Sequence, residues 1–298
     1  MKKITVLLLA AFLTIGTVSA VEGLYAGAEL SIADFTADEV IDGMIIRPYV
    51  GYETSLDMGL DLRAELGLPI TMWKWDDDSE TALGLDALLG GTFNLELSDA
   101  SKLAFSLDTL ILFPFDEEKP MTTTKDLGFG LFAGWMAATD FQMYMSVGAR
   151  FTQTLDFGDL YFGVDMPFIL VDAAEYGDDA FDTAMLNFTV GVDNIADSIG
   201  AGLTLYNWIG DDTFIDDFVI SMDIFGTFTS GPLFASLTVG IPLIEDGIDF
   251  FGISITPRVE YALDMGLKFY VELPIFGIAA DYDDSIGVGL LFGAKFSF

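Results

Sequence analysis

The side chains that could take part in chemistry in this sequence are almost all carboxylates. There are 47 aspartates and glutamates against 12 lysines and arginines, with no histidine and no cysteine. Many hydrolases use histidine as general base or to orient a nucleophile, and disulfides and thiolate metal sites need cysteine. We therefore expect no enzyme activity, no catalytic residue, no cofactor and no metal centre. The formal net charge of −35 also repels nucleic acid, so we expect no nucleic-acid partner.

Six acidic clusters supply the hard oxygen ligands that Ca²⁺ and Mg²⁺ accept. None has the ligand spacing of an EF-hand, and we expect a solvated, mutually repelling loop surface with weak divalent screening as the lesser alternative. The clusters are Asp76-Asp77-Asp78, Asp116-Glu117-Glu118, Asp178-Asp179, Asp211-Asp212, Asp216-Asp217 and the segment 281–284.

Other charged residues recur at every second position of long segments. Between residues 58 and 68, apolar side chains alternate with Gly59, Asp61, Arg63 and Glu65. Successive side chains of a β-strand point to opposite faces, so this spacing puts the charges on one face and the apolar residues on the other. The same period of two recurs in segments 103–113, 141–151 and 265–275.

These strands are long enough to cross a membrane. The composition is 52% hydrophobic, yet after residue 20 no apolar run approaches the roughly twenty residues that a spanning helix needs. Strands of soluble proteins usually have about five or six residues, whereas a tilted membrane strand needs about nine to eleven. Short connections also alternate with longer acidic ones. The sequence therefore predicts an all-β fold, a transmembrane antiparallel up-and-down β-barrel.

The number of strands is predicted less directly. The pattern gives fifteen candidate segments, and the alternation of short and long connections fails between residues 114 and 160, around candidate segment 127–137. Bacterial single-chain barrels have even numbers of strands. We therefore predict about fourteen strands, with sixteen or twelve as alternatives. No connection is obviously long enough to fold into the barrel as a constriction.

Prolines and aromatic residues predict the rim on the side of the long loops. Proline cannot donate to a β-ladder and is expected at strand ends. The prolines that follow an apolar residue at such ends are Pro69, Pro114, Pro167, Pro242 and Pro274. Amphipathic rings collect at membrane interfaces. The rings that we expect there are those of Trp73, Trp75, Tyr206 and Trp208.

Charges on the inner face of the barrel are the candidate pore lining. A lysine or arginine that faced lipid at the bilayer midplane would cost roughly 2 to 4 kcal/mol, which requires these residues to face inward. The bases are Arg47, Arg63, Arg150, Arg258, Lys268 and Lys295, and the acids are Asp61, Glu65, Asp86, Asp108, Asp165, Asp223, Glu260 and Glu272. They could select solutes in a wet pore or form ion-pair networks that fill a closed lumen. About fourteen strands enclose more space than side chains fill, which favours the pore.

Two further groups of inner-face residues allow alternative interpretations. Glycines there either widen the bore or make room for large neighbours such as Tyr25, Tyr49, Tyr144, Tyr161 and Tyr270. The apolar side chains Leu88, Leu110, Leu112, Phe132, Phe225 and Phe234 could line a route for a hydrophobic solute. We favour instead a slip of register or contact with a loop that folds inward.

The two ends of the sequence carry targeting signals. Residues 1–20 combine Lys2 and Lys3 with an apolar run and the small-residue ending Val18-Ser19-Ala20, which predicts a cleaved signal peptide. Residues 21–298 are then a single barrel domain. The last segment alternates apolar residues up to Phe296 and Phe298, and it resembles the C-terminal recognition strand of bacterial outer-membrane β-barrel proteins.

The resemblance covers the whole exported chain at the level of this class. It implies a cell outer membrane location, contact with outer-membrane lipids, and recognition of Phe296 and Phe298 by the barrel-assembly machinery. The mature length over fourteen strands also resembles that of monomeric porins, which implies a single-chain pore. We expect a porin-like channel for passive diffusion of small hydrophilic solutes that prefers cations. The alternative is a structural or adhesive surface barrel with a closed lumen and acidic extracellular loops. The sequence leaves the oligomeric state open.

Overall fold

A computed structural model of the protein describes residues 22–33, 43–75, 78–116, 119–127, 138, 140–172, 184–209, 220–243, 252–278 and 286–298. The predicted signal peptide, residues 1–20, lies outside these ranges. No helix among the described residues is long and apolar enough to cross a membrane.

Seventeen antiparallel β-segments belong to one sheet. They are β1 Leu24–Ile32, β2 Met44–Leu56, β3 Leu60–Gly67, β4 Ile70–Trp75, β5 Asp78–Ser98, β6 Ser101–Pro114, β7 Gln142–Leu155, β8 Gly158–Asp172, β9 Ala184–Ile195, β10 Ile199–Ile209, β11 Ile220–Ser230, β12 Leu233–Pro242, β13 Ile253–Ala262, β14 Leu267–Glu272, β15 Ile275–Ile278, β16 Gly287–Val288 and β17 Leu290–Ser297.

The sheet closes on itself because β1 pairs with both β2 and β17. Three pairs of consecutive segments each form one interrupted strand. β3 and β4 both pair with β2 and β5, β14 and β15 both pair with β13, and β16 continues into β17. The structure is therefore a closed antiparallel barrel of fourteen strands, which confirms the predicted fold class and the preferred strand number.

The outer surface of the barrel is apolar, as a lipid-facing surface must be. On β5 and β8, for example, Leu89 is 49% exposed and Phe162 is 51% exposed, although both sit in the middle of long strands. The preceding residues on the opposite face, Leu88 and Tyr161, are buried. The period of two in the sequence is thus the alternation between lipid and the barrel interior.

Connections differ between the two ends of the barrel. Turns of two to four residues join strands at one end, as at 57–59, 99–100 and 231–232, and we call this the turn side. Most connections at the other end, the loop side, are longer. β6 pairs directly with β7, so no barrel strand lies between them. The candidate segment 127–137 lies outside the described residues, except for Leu127.

Two expectations for the loop-side rim need correction. Pro114 and Pro242 do end strands, but Pro69 and Pro274 interrupt strands that continue beyond them, and Pro167 lies within β8. Tyr206 was expected at the membrane interface. It lies instead on the inner face of β10, where its hydroxyl donates a hydrogen bond to Asp223. The period of two places this ring inside, and that constraint overrides its position near the rim.

Candidate functional site

All six predicted inner-face bases form ion pairs with acids of the inner face. Five of these bases pair with an acid of the same strand or of a nearby strand, and the sixth base, Arg47, lies in a larger cluster. The five are Arg63 with Asp108 at 2.8 Å, Arg150 with Asp193 at 2.8 Å, Arg258 with Glu260 at 2.7 Å and Glu272 at 3.1 Å, Lys268 with Glu260 at 3.0 Å, and Lys295 with Glu53 at 2.6 Å. The positive charges are neutralised locally rather than set against acids across the lumen.

Three predicted acids accept hydrogen bonds from neutral donors. The amide of Asn94 donates to Asp61 at 2.7 Å. The amide of Asn187 donates to Asp165 at 2.7 Å, and the Tyr206 hydroxyl donates to Asp223 at 3.0 Å. In these three contacts no positive charge offsets the carboxylate.

Arg47 is the centre of a buried charge cluster in the loop-side half. Its Nε lies 2.6 Å from Asp86, and its Nη1 lies 2.7 Å from Glu65 and 3.2 Å from Glu29. The Arg47 and Asp86 side chains are fully buried. Three carboxylates around one guanidinium leave an excess of negative charge, and burying such an excess is costly. A second cation is therefore expected in the cluster.

Lys125 supplies that second cation from the connection between β6 and β7. Its Nζ lies 3.1 Å from Glu29 and 3.0 Å from Glu65. Residues 119–127, which we call the inward segment, therefore lie inside the barrel. The expectation that no connection folds inward is wrong. The sequence pattern predicted an additional strand at residues 127–137. The long connection between β6 and β7 was therefore interpreted as two short connections on either side of that strand.

Hydrogen bonds hold the inward segment along its length. Thr71 Oγ1 accepts from the Thr122 amide at 3.1 Å, Thr123 donates to Asp86 at 2.5 Å, and Thr124 donates to Glu29. The run of three threonines before Lys125 was the available sequence signal. This run has neither strand nor helix periodicity, so it does not by itself predict where the segment lies.

An apolar cluster inside the barrel packs against the same segment. Met121 is fully buried, and Leu88, Leu110 and Leu112 of β5 and β6 lie in the same cluster. These leucines are inner-face residues that contact a loop, which confirms the favoured interpretation for them. Phe225 lies instead over Gly202, and Phe132 falls outside the described residues.

Inner-face glycines make room for rings of the adjacent strand. A Cβ placed on Gly293 would overlap the ring of Tyr270, and one on Gly51 would overlap the ring of Tyr25. The ring of Tyr49 occupies the space beside Gly27 in the same way. At these positions the glycines accommodate large neighbours and do not widen the bore.

The turn-side half of the interior is accessible to solvent. The side chains of Arg63 and Arg150 are 48% and 47% exposed, in contrast to the fully buried Arg47. A cavity of about 1060 Å³ opens at this end, and Glu53, Asp61 and Arg63 are among its lining residues. Side chains thus fill the interior at the Arg47 cluster, whereas the interior between that cluster and the turn side is accessible to water.

The C-terminal strand occupies the closure of the barrel. β17 pairs with β1 on one side and β14 on the other. The Phe298 amide donates to the Leu24 carbonyl at 3.0 Å, and the rings of Phe296 and Phe298 meet edge to face with centroids 4.9 Å apart. Both predicted recognition residues therefore lie at the seam that completes the ring.

Within the described part of the chain, no group of three or more acidic side chains is arranged to hold a metal ion directly. The described interior combines paired charges, hydroxyls and tyrosines with the apolar cluster around Met121.

No protein-family model matches the sequence, and no curated protein matches it. Solved structures do match its fold. A mutant form of the monoaromatic hydrocarbon channel TodX has a TM-score of 0.54 with 10% identity, over 94% of this chain and 91% of that one. The Pseudomonas putida toluene transporter TodX itself has a TM-score of 0.50 with 9% identity, over 94% and 90%.

CdiB from Acinetobacter baumannii has a TM-score of 0.53 with 7% identity over 94% of this chain. This chain spans 61% of the length of CdiB. Sequence identities this low describe a shared fold only. The protein shares the barrel architecture of these solved structures.

Proposed function

We propose that the protein is an outer-membrane channel for passive diffusion of small hydrophilic solutes, with a preference for cations. The observation that carries this proposal is the exposure of inner-face charges in the turn-side half, where Arg63 and Arg150 are about half exposed. Charged side chains that keep their water inside a barrel indicate a wet lumen. A lumen filled by side chains would bury them.

Hydrophilic solutes fit the interior better than hydrophobic ones. The TodX channel carries monoaromatic hydrocarbons, and its fold resembles this one. In this chain, however, Leu110 and Leu112 are fully buried against the inward segment, so they present no apolar surface to a solute. The turn-side cavity is lined by charges and hydroxyls, among them Glu53, Asp61, Arg63 and Thr92.

A preference for cations follows from how the charges are paired. Each of the six inner-face bases is already bound to a carboxylate, so a passing anion would have to displace that partner. Asp61, Asp165 and Asp223 accept hydrogen bonds from neutral donors, so no positive charge offsets these carboxylates in the contacts shown. Fixed charges of one sign favour ions of the opposite sign in a pore.

The channel is tested with purified protein in planar lipid bilayers. We expect stepwise conductance and, in a KCl gradient, a reversal potential that favours K⁺ over Cl⁻. A correctly folded sample that gives no current would contradict the channel. Current that favours Cl⁻ would contradict only the cation preference, and would assign control of the narrowest point to the arginines.

The second candidate is a structural or adhesive surface barrel with a closed lumen. Its supporting observation is the loop-side half, where the Arg47 cluster and the Met121 cluster fill adjacent parts of the interior. Liposome swelling separates the two candidates. Swelling in small sugars supports the channel, and a folded sample that gives no swelling supports the closed barrel.

Location and assembly belong to the same proposal. The apolar outer surface matches a lipid environment, and the terminal Phe298 at the closing seam fits recognition by the barrel-assembly machinery. Deleting Phe298 should lower the fraction of heat-modifiable, folded protein in outer membranes. Replacing it with tryptophan, which keeps a terminal aromatic, should preserve that fraction.

A further inference from the structure

Two inner-face glycines of β7 and β8 lie diagonally next to each other. In the register of these strands Gly148 pairs with Asp165, and Arg150 pairs with Gly163. The glycines thus occupy one diagonal of a small patch and the two charged residues occupy the other. A cavity of about 210 Å³ lies over this patch, and we call it the Gly163 niche. Its lumen-facing side chains are those of Ser106, Arg150, Tyr161, Asp165 and Thr189.

No neighbouring side chain fills the space beside Gly163. A Cβ placed there would have the Thr189 Cβ as its nearest atom, at 3.7 Å, and the Ala149 carbonyl oxygen at 3.9 Å. At Gly27 and Gly293, by contrast, a tyrosine ring takes that space. The pairing of β7 and β8 is regular at this point. Glycine inside a strand weakens it and, where no bulge or bend explains it, often marks a place where a ligand comes close.

Arg150 supplies hydrogen-bond donors to the niche. Its guanidinium lies over the Tyr161 ring, 3.6 Å from the centroid, and its Nη2 donates to Asp193 at 2.8 Å. These two contacts fix the orientation of the group. A guanidinium carries five N–H donors, so the contact with Asp193 leaves others for a ligand.

Asp165 supplies hydrogen-bond acceptors at the opposite corner. Its Oδ2 accepts from the Asn187 amide at 2.7 Å. A carboxylate can accept about four hydrogen bonds in total, so this contact leaves acceptor capacity for a ligand. The hydroxyls of Ser106 and Thr189 can both donate and accept. The niche therefore offers donors, acceptors and hydroxyls around one small space.

The niche lies between the filled half and the wet half of the interior. Along β7, Tyr144 belongs to the buried apolar cluster that contains Met121, and Arg150 is half exposed. Gly148 lies between these two residues in the sequence of the strand. A solute that enters from the turn side therefore reaches the niche before it reaches the inward segment.

We propose that the Gly163 niche binds a small neutral solute with several hydroxyl groups, a short-chain polyol. Each hydroxyl both donates and accepts, so adjacent hydroxyls can donate to Asp165 and accept from Arg150. Pockets for drug-sized ligands begin at roughly 300 Å³, so this smaller cavity takes only a short solute. An amino acid would bring a carboxylate that competes with Asp193 for Arg150, whereas a hydroxyl leaves that ion pair in place.

The niche deepens the proposed function, because it names a class of solute and the place where that solute pauses. Its role in permeation rests on that function, but its occupancy is measured without conduction. The probe is xylitol, and saturation-transfer NMR on the folded protein in detergent micelles detects its binding. We expect a saturable signal for xylitol and none for glycine, a zwitterion without hydroxyl groups. Binding of glycine without binding of xylitol would overturn the polyol assignment.

Gly163→Val is the variant that fills the niche. Its side chain would take the space of the solute, so the dissociation constant for xylitol should rise roughly tenfold or more. Gly226→Val is the matched control. A Cβ at Gly226 would meet only the Gly200 carbonyl oxygen, at 3.9 Å, and Gly226 lies on the outer face of β11, so this variant should bind xylitol like the wild type.

Asp165→Asn is a second variant, which leaves the space at Gly163 open. It replaces one acceptor oxygen with an amide donor and should also weaken xylitol binding. A heat-modifiable gel shift shows that each variant is folded. Folded Gly163→Val protein that binds xylitol as tightly as the wild type would overturn the niche. A wild type that conducts in planar bilayers but gives no xylitol signal would overturn the niche and leave the channel standing, and one that binds xylitol but passes no current would overturn only the channel.

Discussion

Arg47 and Asp86 form a two-point ion pair inside the barrel, with Nε and Nη2 of the guanidinium at 2.6 and 2.7 Å from the two carboxylate oxygens. The third nitrogen, Nη1, lies against Glu65 and Glu29. The planar fork of arginine can serve several carboxylates at once, whereas a lysine ammonium is a single point of charge. Arg47 therefore joins four barrel strands through one side chain.

Replacing Arg47 with methionine should strongly destabilise the barrel. The change would leave three buried carboxylates with Lys125 as their remaining cation, and breaking a buried ion pair typically costs about 3 to 5 kcal/mol. The free energy of unfolding is measured by urea titration in lipid vesicles with tryptophan fluorescence. Arg63→Met is the matched control, because the Arg63–Asp108 pair is half exposed and should contribute less than about 1 kcal/mol.

Equal losses in the two variants would contradict this assignment. They would mean that the Arg47 cluster is solvated and contributes no more than an exposed pair.

The inward segment should be releasable by removing its anchoring side chains. Three of its side chains bind carboxylates of the barrel strands: Thr123 binds Asp86, and Thr124 and Lys125 bind Glu29. Hydrogen bonds to charged groups contribute roughly 1.5 to 3 kcal/mol each. The variant Thr123→Ala/Thr124→Ala/Lys125→Ala should therefore show larger single-channel conductance, with frequent transitions between current levels.

Lys119→Ala is the control for that experiment. It lies in the same segment, but its contact with Asp116 is a half-exposed pair at 3.6 Å. Its conductance should equal that of the wild type. A triple variant with unchanged conductance would show that the segment does not limit the current.

The sequence predicts which face of each strand a residue occupies, since a period of two allows only two choices. That constraint placed all six inner-face bases, and it placed Leu88 and Leu110 inside although they are apolar. The number of strands, fourteen, could be predicted from fifteen candidate segments because bacterial single-chain barrels have even numbers of strands. The partners of each charge could not be predicted in the same way. Arg47 and Asp86 are 39 residues apart, and Lys125 and Glu29 are 96 apart.

Two physical reasons account for what was missed. The register between strands is set by turns and side-chain packing across the pair, so the fit of Tyr270 over Gly293 cannot be read from either strand alone. The inward segment has no periodicity, because its consecutive residues bind side chains of different strands: Thr122 binds Thr71 of β4, Thr123 binds Asp86 of β5, and Thr124 and Lys125 bind Glu29 of β1. Its threonines and Lys125 are informative only when Glu29, Glu65 and Asp86 are known to lie together.

The packing of rings over glycines predicts a position-specific cost for alanine. In Gly293→Ala the added methyl would overlap the Tyr270 ring, and overpacking of this kind costs about 1 to 3 kcal/mol. In Gly163→Ala the nearest atom, Cβ of Thr189, lies 3.7 Å away in ordinary contact. That variant should keep the wild-type stability or gain slightly. Urea unfolding in vesicles measures both, and equal effects would exclude ring packing as the role of Gly293.

A charge introduced on either side of one strand should report which face meets lipid. Leu89 of β5 is 49% exposed on the outer surface, and Thr92 of the same strand lines the turn-side cavity. Leu89→Arg should reduce the free energy of unfolding by roughly 2 to 4 kcal/mol, because the charge would enter the hydrocarbon. Thr92→Arg should be tolerated, since its charge would meet water and Asp61. The opposite ranking would mean that β5 is inverted, and the assignment of every inner-face charge depends on that orientation.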